Sequence, residues 1–303
     1  MANLTIRQLR YFEALAAQRH FGRAAEICGV TQPALSVQIK ELEQDLGTKL
    51  FERSARHVRL TGFGEEFSLR VQDILRRVDE LDDMARAARD KMVGRLRLGV
   101  IPTIAPYLLP RIIANLGESH GDLDVHIRET LTPRLIQELS EGRLDAAILA
   151  LPVSEPSLTE VTLFTENMVL VRSEKDAGKP VPTREELREM RLLLLEEGHC
   201  FRDQALSFCN IPSTLPQEGL DGSSLSTLVQ MVGAGIGVTL IPEMAVPVET
   251  RSAAVCVGHF TNPQPTRTVG IVWRKSSPLA EHLHQISDVV RQSASELRDD
   301  KNI

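Results

Sequence analysis

The sequence predicts an α/β protein with three parts: a small, mostly helical head (residues 1–62), a long helix (63–92) and an α/β body (93–303). Three patterns predict this. Apolar residues recur at helical spacing through the head, and a heptad pattern without proline follows it. Short apolar runs then alternate with helical patterns to the end, an order typical of α/β folds.

Composition excludes several classes of protein. The chain has 303 residues, of which 42% are hydrophobic and 25% charged, as in ordinary globular proteins. No apolar stretch follows Met1, so we expect no signal peptide. The longest uncharged run, Gly222 to Pro242, is too polar for a membrane span. Four cysteines are too few for a disulfide scaffold, so we expect a cytoplasmic protein without a membrane partner.

Charge is distributed unevenly along the chain. The net charge is −6, yet residues 1–62 carry 9 Lys+Arg against 6 Asp+Glu, whereas residues 94–303 carry 20 against 27. A basic head on an acidic body indicates that any nucleic-acid contact is made by the head.

The head has the pattern of a helix-turn-helix. A first helix is predicted over Thr5–Gln18 and a second over Phe21–Cys28, with a tight turn at Gly29. A third helix opens with Thr31 as N-cap and ends at Gly47. Two helices joined by a tight turn, the second with a polar N-terminal face, form a helix-turn-helix.

This motif predicts double-stranded DNA as a partner. The N-terminal part of the last helix would reach base edges. The candidate residues there are Thr31, Gln32, Pro33, Ser36, Gln38 and Lys40. A short hairpin is predicted over 50–60, where Arg53 and Arg56 would contact phosphates.

At these residues the chain resembles the LysR-type transcriptional regulators. The resemblance is carried by Phe21–Glu26, Val30–Ser36 and Leu50–Arg53, in the family's order and without gaps. It implies a winged helix-turn-helix, a regulator that is not an enzyme, RNA polymerase as a further partner, and a homotetramer built from two dimers.

The long helix carries a heptad seam of apolar residues spaced four and three apart. Its members are Phe67, Val71, Ile74, Val78, Leu81, Ala85 and Ala88. The regular period favours a partner helix, and hence a homodimer through 63–92, over a helix that lies on its own domain.

The body is expected to have a mostly parallel sheet, with Ala146–Leu149 as a buried strand and Leu192–Leu195 as another. We expect two lobes, one over about 93–168 and 269–303, the other over about 169–268, with a cleft between them. That arrangement resembles the periplasmic-binding-protein-like effector domain of the same family. Gly233–Gly237 precedes a strand and does not fit a dinucleotide loop, and the cysteines lack metal-site spacing, so no cofactor or metal is predicted.

Two cysteines, Cys200 and Cys209, carry the most specific chemical signal. His199 and Arg202 flank the first and are placed to stabilise a thiolate. On one helix the two Cα atoms would lie about 13.5 Å apart, whereas a disulfide tolerates at most roughly 7 Å. The pair is therefore either a redox switch that requires refolding or, as buried cysteines commonly are, part of the core.

The stretch Leu194–Gln204 resembles the member of the LysR family that senses hydrogen peroxide. The resemblance implies that Cys200 reacts with peroxide, that Cys209 is its disulfide partner, and that antioxidant genes are controlled. It also implies a peroxide pocket, lined by Thr103, Thr132, His199 and Arg267 with help from Asp203. From the residues alone, a plain helix N-cap is the preferred interpretation of each threonine, which would make it structural.

Two other functions stay open at this point. One is a regulator whose cleft binds a small organic effector, with structural cysteines; the other is a thiol peroxidase. Cys28 is expected to pack in the head, and Cys256 has no assigned role.

Overall fold

The computed structural model describes residues 4–53, 58–88, 93–211, 222–261 and 263–299. The chain divides between Asp83 and Met84 into two compact units. The tip of the hairpin, with Arg56, lies outside the described residues, as does the end of the long helix pattern at 89–92.

The first unit confirms the predicted helices and hairpin. Its elements are α1 (Ile6–Gln18), α2 (Phe21–Ile27), α3 (Gln32–Leu46), β1 (Phe51–Arg53) and β2 (Val58–Leu60). Thr5 caps α1 in a capping box with Gln8, and Thr31 caps α3. Gly47 ends α3 in the left-handed region, at φ 66°, where glycine meets no steric penalty. These local signals fix the turn that positions α3.

Helix α4 spans Gly62–Ala87, about 39 Å at 1.5 Å per residue. Its apolar seam divides into two parts. Phe67 and Val71 pack into the hydrophobic core of the first unit. Ile74 and Leu81 are 42% and 63% exposed. The expectation of one continuous seam for a partner helix is therefore wrong for its N-terminal part, which lies on its own domain.

The second unit is built on one mixed sheet. Its strands are β3 (Gly94–Val100), β4 (Leu123–Glu129), β5 (Ala146–Leu151), β6 (Leu158–Ser173), β7 (Thr239–Pro242), β8 (Val255–Gly258) and β9 (Thr266–Arg274). Its helices are α5 (Ala105–Ser119), α6 (Thr132–Ser140), α7 (Arg184–Glu189), α8 (Cys200–Phe208), α9 (Leu225–Gly233), α10 (Val246–Glu249) and α11 (Ala280–Asp299).

Within the described residues the strand order is β4-β3-β5-β9-β6-β7, and β8 also pairs with β6. Only β3–β4 and β3–β5 are parallel; the pairs made by β6 and β9 are antiparallel. The expected mostly parallel sheet is therefore wrong. The cause is that β6 and β9 run in opposite directions through the middle of the sheet.

Two hydrophobic clusters give this unit two lobes. The first is formed mainly by β3, β5, β9, α5 and α11. The second includes the C-terminal half of β6 together with α7, α8 and α9. The expected strand Leu192–Leu195 is wrong, because that segment pairs only through single bridges at Leu192 and Leu195. No helix among the described residues has the length and apolarity to cross a membrane.

Candidate functional site

The two cysteines lie at opposite ends of one helix, as the spacing predicts. Cys200 is the first residue of α8 and Cys209 is its C-cap. All four cysteines of the chain carry free thiols. At 1.5 Å per residue the Cα atoms of Cys200 and Cys209 are about 13.5 Å apart, roughly twice the separation that a disulfide spans.

The environments of the two thiols differ. Cys200 is half-buried and packs against the first hydrophobic cluster. Cys209 is fully buried inside the second cluster. Burial raises the pKa of Cys209 to about 11, and the nearby charge of Arg184 opposes this only in part. Cys209 is therefore protonated and shielded, while Cys200 is the thiol at the surface of a cavity.

That cavity lies between the two lobes and is closed, with no space that admits a water-sized sphere. It is lined by Ile101, Pro102, Thr103, Leu131, Thr132, His199, Cys200 and Phe201. Four of the predicted site residues thus come together from three segments that are distant in sequence. Thr132 and Cys200 are each the first residue of a helix, α6 and α8, where free backbone N–H groups favour negative charge.

The two threonines are not helix caps. The N-cap of α6 is Leu131 and that of α5 is Ile104, and neither helix has a side-chain cap. The expectation that Thr132 caps α6 is therefore wrong, because it already lies inside the first turn. Its Oγ1 is buried and has no hydrogen-bond partner among the described residues. A buried hydroxyl without a partner is costly unless a ligand or water satisfies it.

Arg267 lies behind Thr103. Its Nη1 donates to Thr103 Oγ1 at 2.8 Å and its Nη2 to the Thr103 carbonyl at 2.9 Å. Its Nε donates to Glu166 Oε1 at 2.8 Å. Both side chains of this ion pair are buried, and Glu166 Oε2 also accepts from the N–H of Met244 at 3.1 Å. Since the arginine occupies a lone pair of the Thr103 hydroxyl, the hydroxyl hydrogen is left to donate to another group.

This pairing changes the role that the sequence suggested for Arg267. It does not line the cavity, and its charge is balanced by Glu166, so it does not act as an isolated cation against a thiolate. Glu166 itself was not predicted. The partnership of Glu166 with Arg267 is indicated by strand register alone, because Glu166 on β6 is directly opposite Arg267 on β9.

His199 is also not the cation that its position suggested. It is 8% exposed, and burial lowers its pKa below the ordinary value, with Glu196 acting in the opposite direction. The imidazole is therefore neutral near pH 7 and offers one donor and one acceptor. Arg202 is half-buried and donates to the carbonyl of Leu195 at 2.8 Å.

Two polar residues of α8, Asp203 and Gln204, do not line this cavity. Asp203 is exposed in the first turn, so the structure does not bring it into the group around Cys200. Gln204 lies one turn after Cys200 on the same face of the helix. Its Oε1 is buried and without a hydrogen-bond partner among the described residues, which no sequence signal indicated.

The combined geometry suits a small polar molecule. The cavity offers two hydroxyls, a neutral imidazole and a thiol at a helix N-terminus. As folded, the cavity does not admit a water-sized sphere, so its walls have to move apart before any ligand enters. Among the described residues, no cluster of His, Cys, Asp and Glu is arranged to hold a metal ion.

In the first unit, α3 presents a polar face. Gln32, Ser36 and Lys40 are spaced four apart and so share one side of the helix, on which Gln32 and Lys40 are exposed. Leu35 and Ile39 are buried. Pro33 is exposed in the first turn beside this face.

The remaining predicted DNA contacts are placed less clearly. Thr31 is used as the cap of α3, and the amide of Gln38 donates to Glu41. Arg53 belongs to β1, but its side chain lies outside the described part of the structure, as does Arg56. Their contacts with DNA stay predictions.

The other two cysteines have structural surroundings. Cys28 packs against the core of the first unit, as expected, and burial raises its pKa. Cys256 lies on β8, and its thiol donates to the carbonyl of Ser173 at 3.4 Å.

Family comparisons agree with both units. Residues 6–65 match the bacterial regulatory helix-turn-helix protein, lysR family, and residues 89–295 match the LysR substrate binding domain. The chain therefore belongs to the LysR family of regulators, and within it to the OxyR proteins. It is 40% identical over 290 residues to the DNA-binding transcriptional dual regulator OxyR of Escherichia coli K12, covering 95% of each chain.

Solved structures show the same likeness. A full-length OxyR variant from Pseudomonas aeruginosa superposes with a TM-score of 0.75 at 37% identity, covering 96% of both chains. A hydrogen-peroxide-bound OxyR variant from Corynebacterium glutamicum gives 0.67 at 34% identity, covering 97% of this chain and 93% of that one. The predicted class, a winged helix-turn-helix joined to a two-lobed α/β domain, is confirmed.

The buried ion pair yields a first prediction. Arg267→Ala is expected to lower the free energy of unfolding of the body by about 3–5 kcal/mol, because it leaves the Glu166 carboxylate buried and unpaired. The double variant Glu166→Gln/Arg267→Met should recover more than half of that loss, since it removes both charges and keeps an acceptor for Met244. Urea unfolding measures both values. A single-variant loss below about 1 kcal/mol would mean that the carboxylate is not confined as described.

The order of thiol labelling yields a second prediction. At pH 8, iodoacetamide should modify Cys200 at least about tenfold faster than Cys209, because the thiolate is the reactive form and Cys209 is buried with a raised pKa. Peptide mass mapping over a time course measures each site separately. The difference between the two labelling rates should disappear in about 8 M urea, where the protein is unfolded. Equal rates in the folded protein would contradict the placement of Cys209.

Proposed function

We propose that the protein is a DNA-binding transcription regulator that senses hydrogen peroxide through a reversible disulfide between Cys200 and Cys209. One observation carries the proposal. A thiol lines a small closed cavity, with two hydroxyls and an imidazole beside it, at one end of α8, and a second, shielded thiol lies at the other end of the same helix. The peroxide-bound relative from Corynebacterium glutamicum supports peroxide as the ligand.

The first chemical step is oxidation of Cys200. Its thiolate sulfur attacks one peroxide oxygen, the O–O bond breaks, and the second oxygen leaves as hydroxide, which takes up a proton to form water. The product is a sulfenic acid. The hydroxyls of Thr103 and Thr132 and the imidazole of His199 surround Cys200, and these groups would orient the peroxide and supply hydrogen bonds to the leaving oxygen.

The second step joins the two cysteines. Cys209 gives up its thiol proton as it leaves the cluster, and its thiolate attacks the sulfenic sulfur. The S–S bond forms, the S–O bond breaks, and the departing hydroxide takes up a proton to form water. Because the Cα atoms start about 13.5 Å apart, at least part of α8 has to unwind. Cys209 leaves the second hydrophobic cluster in the process, so the packing between α8 and that lobe changes. This is a two-state element that links oxidation to the shape of the body.

A small organic effector is the less favoured alternative. Such a ligand commonly occupies roughly 300–1,000 Å³, so the closed cavity around Cys200 would have to open much further for it than for peroxide. Catalytic turnover of peroxide is also less favoured, since the curated relatives are regulators.

The first unit would read DNA and the long helix would join two chains. We propose that α3 enters the major groove and that the face formed by Ile74, Val78 and Leu81 pairs with its copy in a homodimer. Two dimers would form a homotetramer that contacts RNA polymerase and controls antioxidant genes. Since bacterial promoters lie in the cytoplasm, we expect the protein to act there.

Peroxide should produce the proposed disulfide. Brief exposure to stoichiometric hydrogen peroxide is expected to remove two free thiols and to link the peptides of Cys200 and Cys209, as seen by mass mapping. Cys200→Ser should abolish the reaction, whereas Cys209→Ser should stop at a sulfenic acid. The matched control Cys256→Ser should behave like the unchanged protein. A link between any other pair would refute the assignment.

DNA contacts should separate into two kinds. Gln32→Ala is expected to weaken binding to the operator by about 1–3 kcal/mol and to leave binding to random DNA unchanged, because a base contact is lost. Arg59→Ala, on the exposed face of β2, should weaken both equally and reduce the salt dependence. Titrations at several salt concentrations measure this. An equal loss on both DNAs for Gln32→Ala removes it from the base-reading set.

The exposed part of the α4 seam should carry the dimer. Leu81→Asp is expected to dissociate it, since a carboxylate would be buried without a partner in the interface. Leu69→Asp is the matched control, because Leu69 is 69% exposed on the same helix and lies outside the seam. Sedimentation gives the mass of each variant. If Leu81→Asp keeps the mass of the unchanged protein, the interface lies elsewhere.

A further inference from the structure

The C-terminal end of α8 is held by contacts that the peroxide chemistry does not use. Helix ends leave their last carbonyls without intrahelical partners. Asn210, at φ 54°, donates its N–H to the Ser207 carbonyl at 3.1 Å, and Ile211 donates to the Leu206 carbonyl at 3.0 Å. These two bonds form a Schellman motif. The carbonyl of Phe208 lies outside that motif.

Arg184 on α7 binds this remaining carbonyl. Its Nε donates to the Phe208 oxygen, and its guanidinium carbon lies 5.0 Å from the centroid of the Phe208 ring. The same ring packs edge-on against Phe260, with centroids 5.0 Å apart. Helix α7 is itself anchored, because Leu187 is fully buried in the second hydrophobic cluster. One side chain thus fixes both the backbone and the ring of the residue that precedes Cys209.

We propose that Arg184 is a positioning residue for the disulfide step: it holds the last turn of α8 folded and thereby slows the capture of oxidised Cys200 by Cys209. The proposal rests on the peroxide-sensing function proposed above. Cys209 follows Phe208 directly in the chain. It cannot leave its buried place and travel toward Cys200 while the Phe208 carbonyl stays bound to Arg184.

The chemistry of the step shows why this contact matters. The sulfur of Cys209 attacks the sulfenic sulfur of Cys200, the S–S bond forms, and the S–O oxygen leaves as water; peroxide was the oxidant in the preceding step. The charge of Arg184 also favours the Cys209 thiolate, but burial is the larger influence on that thiol. The hydrogen bond and ring contact have to break before the thiol can move, so their loss governs the rate.

Removal of Arg184 should therefore accelerate resolution. In Arg184→Ala, conversion of the Cys200 sulfenic acid to the disulfide is expected to be at least about tenfold faster, because one charged hydrogen bond and one partly buried cation–π contact are lost. The rate of sulfenic acid formation should not change. Arg184→Lys should restore most of the slow rate. Arg188→Ala, an exposed arginine on the same helix, is the matched control and should behave like the unchanged protein.

Two measurements on the full chain decide the outcome. Rapid quenching with dimedone after peroxide, followed by mass spectrometry, gives the two rates separately. Hydrogen exchange in the reduced protein reports the last turn without peroxide, and the amides of Cys209, Asn210 and Ile211 should exchange at least about tenfold faster in Arg184→Ala only.

The two measurements also distinguish the failure of each proposal. An unchanged or slower disulfide step, or unchanged exchange at these amides, overturns the role of Arg184. If the unchanged protein forms no disulfide, the peroxide function fails and the role of Arg184 in that step fails with it; exchange in the reduced protein then tests only whether Arg184 holds the last turn of α8.

Discussion

The length of α8 is the constraint on which the function of the protein depends. Cys200 is the first of the nine residues of α8 and Cys209 follows the last, so the helix places the two thiols in different hydrophobic environments. While α8 is intact, the two sulfurs are too far apart to form a disulfide. The reduced protein therefore keeps the helix, and the disulfide form requires a different conformation of this segment. In the proposed function, a chemical event at a single thiol is thereby converted into a change in the packing of a lobe.

A second constraint gives the cavity its shape. The buried pair of Arg267 and Glu166 ties neighbouring strands β9 and β6 together, and Arg267 extends to both the hydroxyl and the carbonyl of Thr103. The pair therefore fixes one wall of the cavity without lending it a net charge. With His199 neutral, Cys200 faces hydrogen-bonding groups and helix N-termini in place of cations. Such a site suits an uncharged, polar ligand of few atoms.

Local signals explain what the sequence could predict. Thr31 and Gly47 mark the ends of α3. The spacing of Cys200 and Cys209 predicts the distance between them as soon as the segment is assumed to be one helix. The clustering around Cys200 followed from family resemblance, because its members come from distant segments. Glu166 could not be predicted, since it meets Arg267 across 101 residues through strand register that no local pattern encodes. The same reason explains the mixed sheet, whose strand directions depend on how β6 and β9 cross.

Hydrogen exchange across α8 before and after oxidation tests the account most directly. Reduced and peroxide-treated protein are compared over residues 198–211, with Cys200→Ser as the control that cannot be oxidised. If the helix unwinds to form the disulfide, the amides of α8 lose protection in the oxidised protein and keep it in the control. Should mass mapping show the Cys200–Cys209 disulfide while protection of α8 stays unchanged, the proposed link between oxidation and refolding is contradicted.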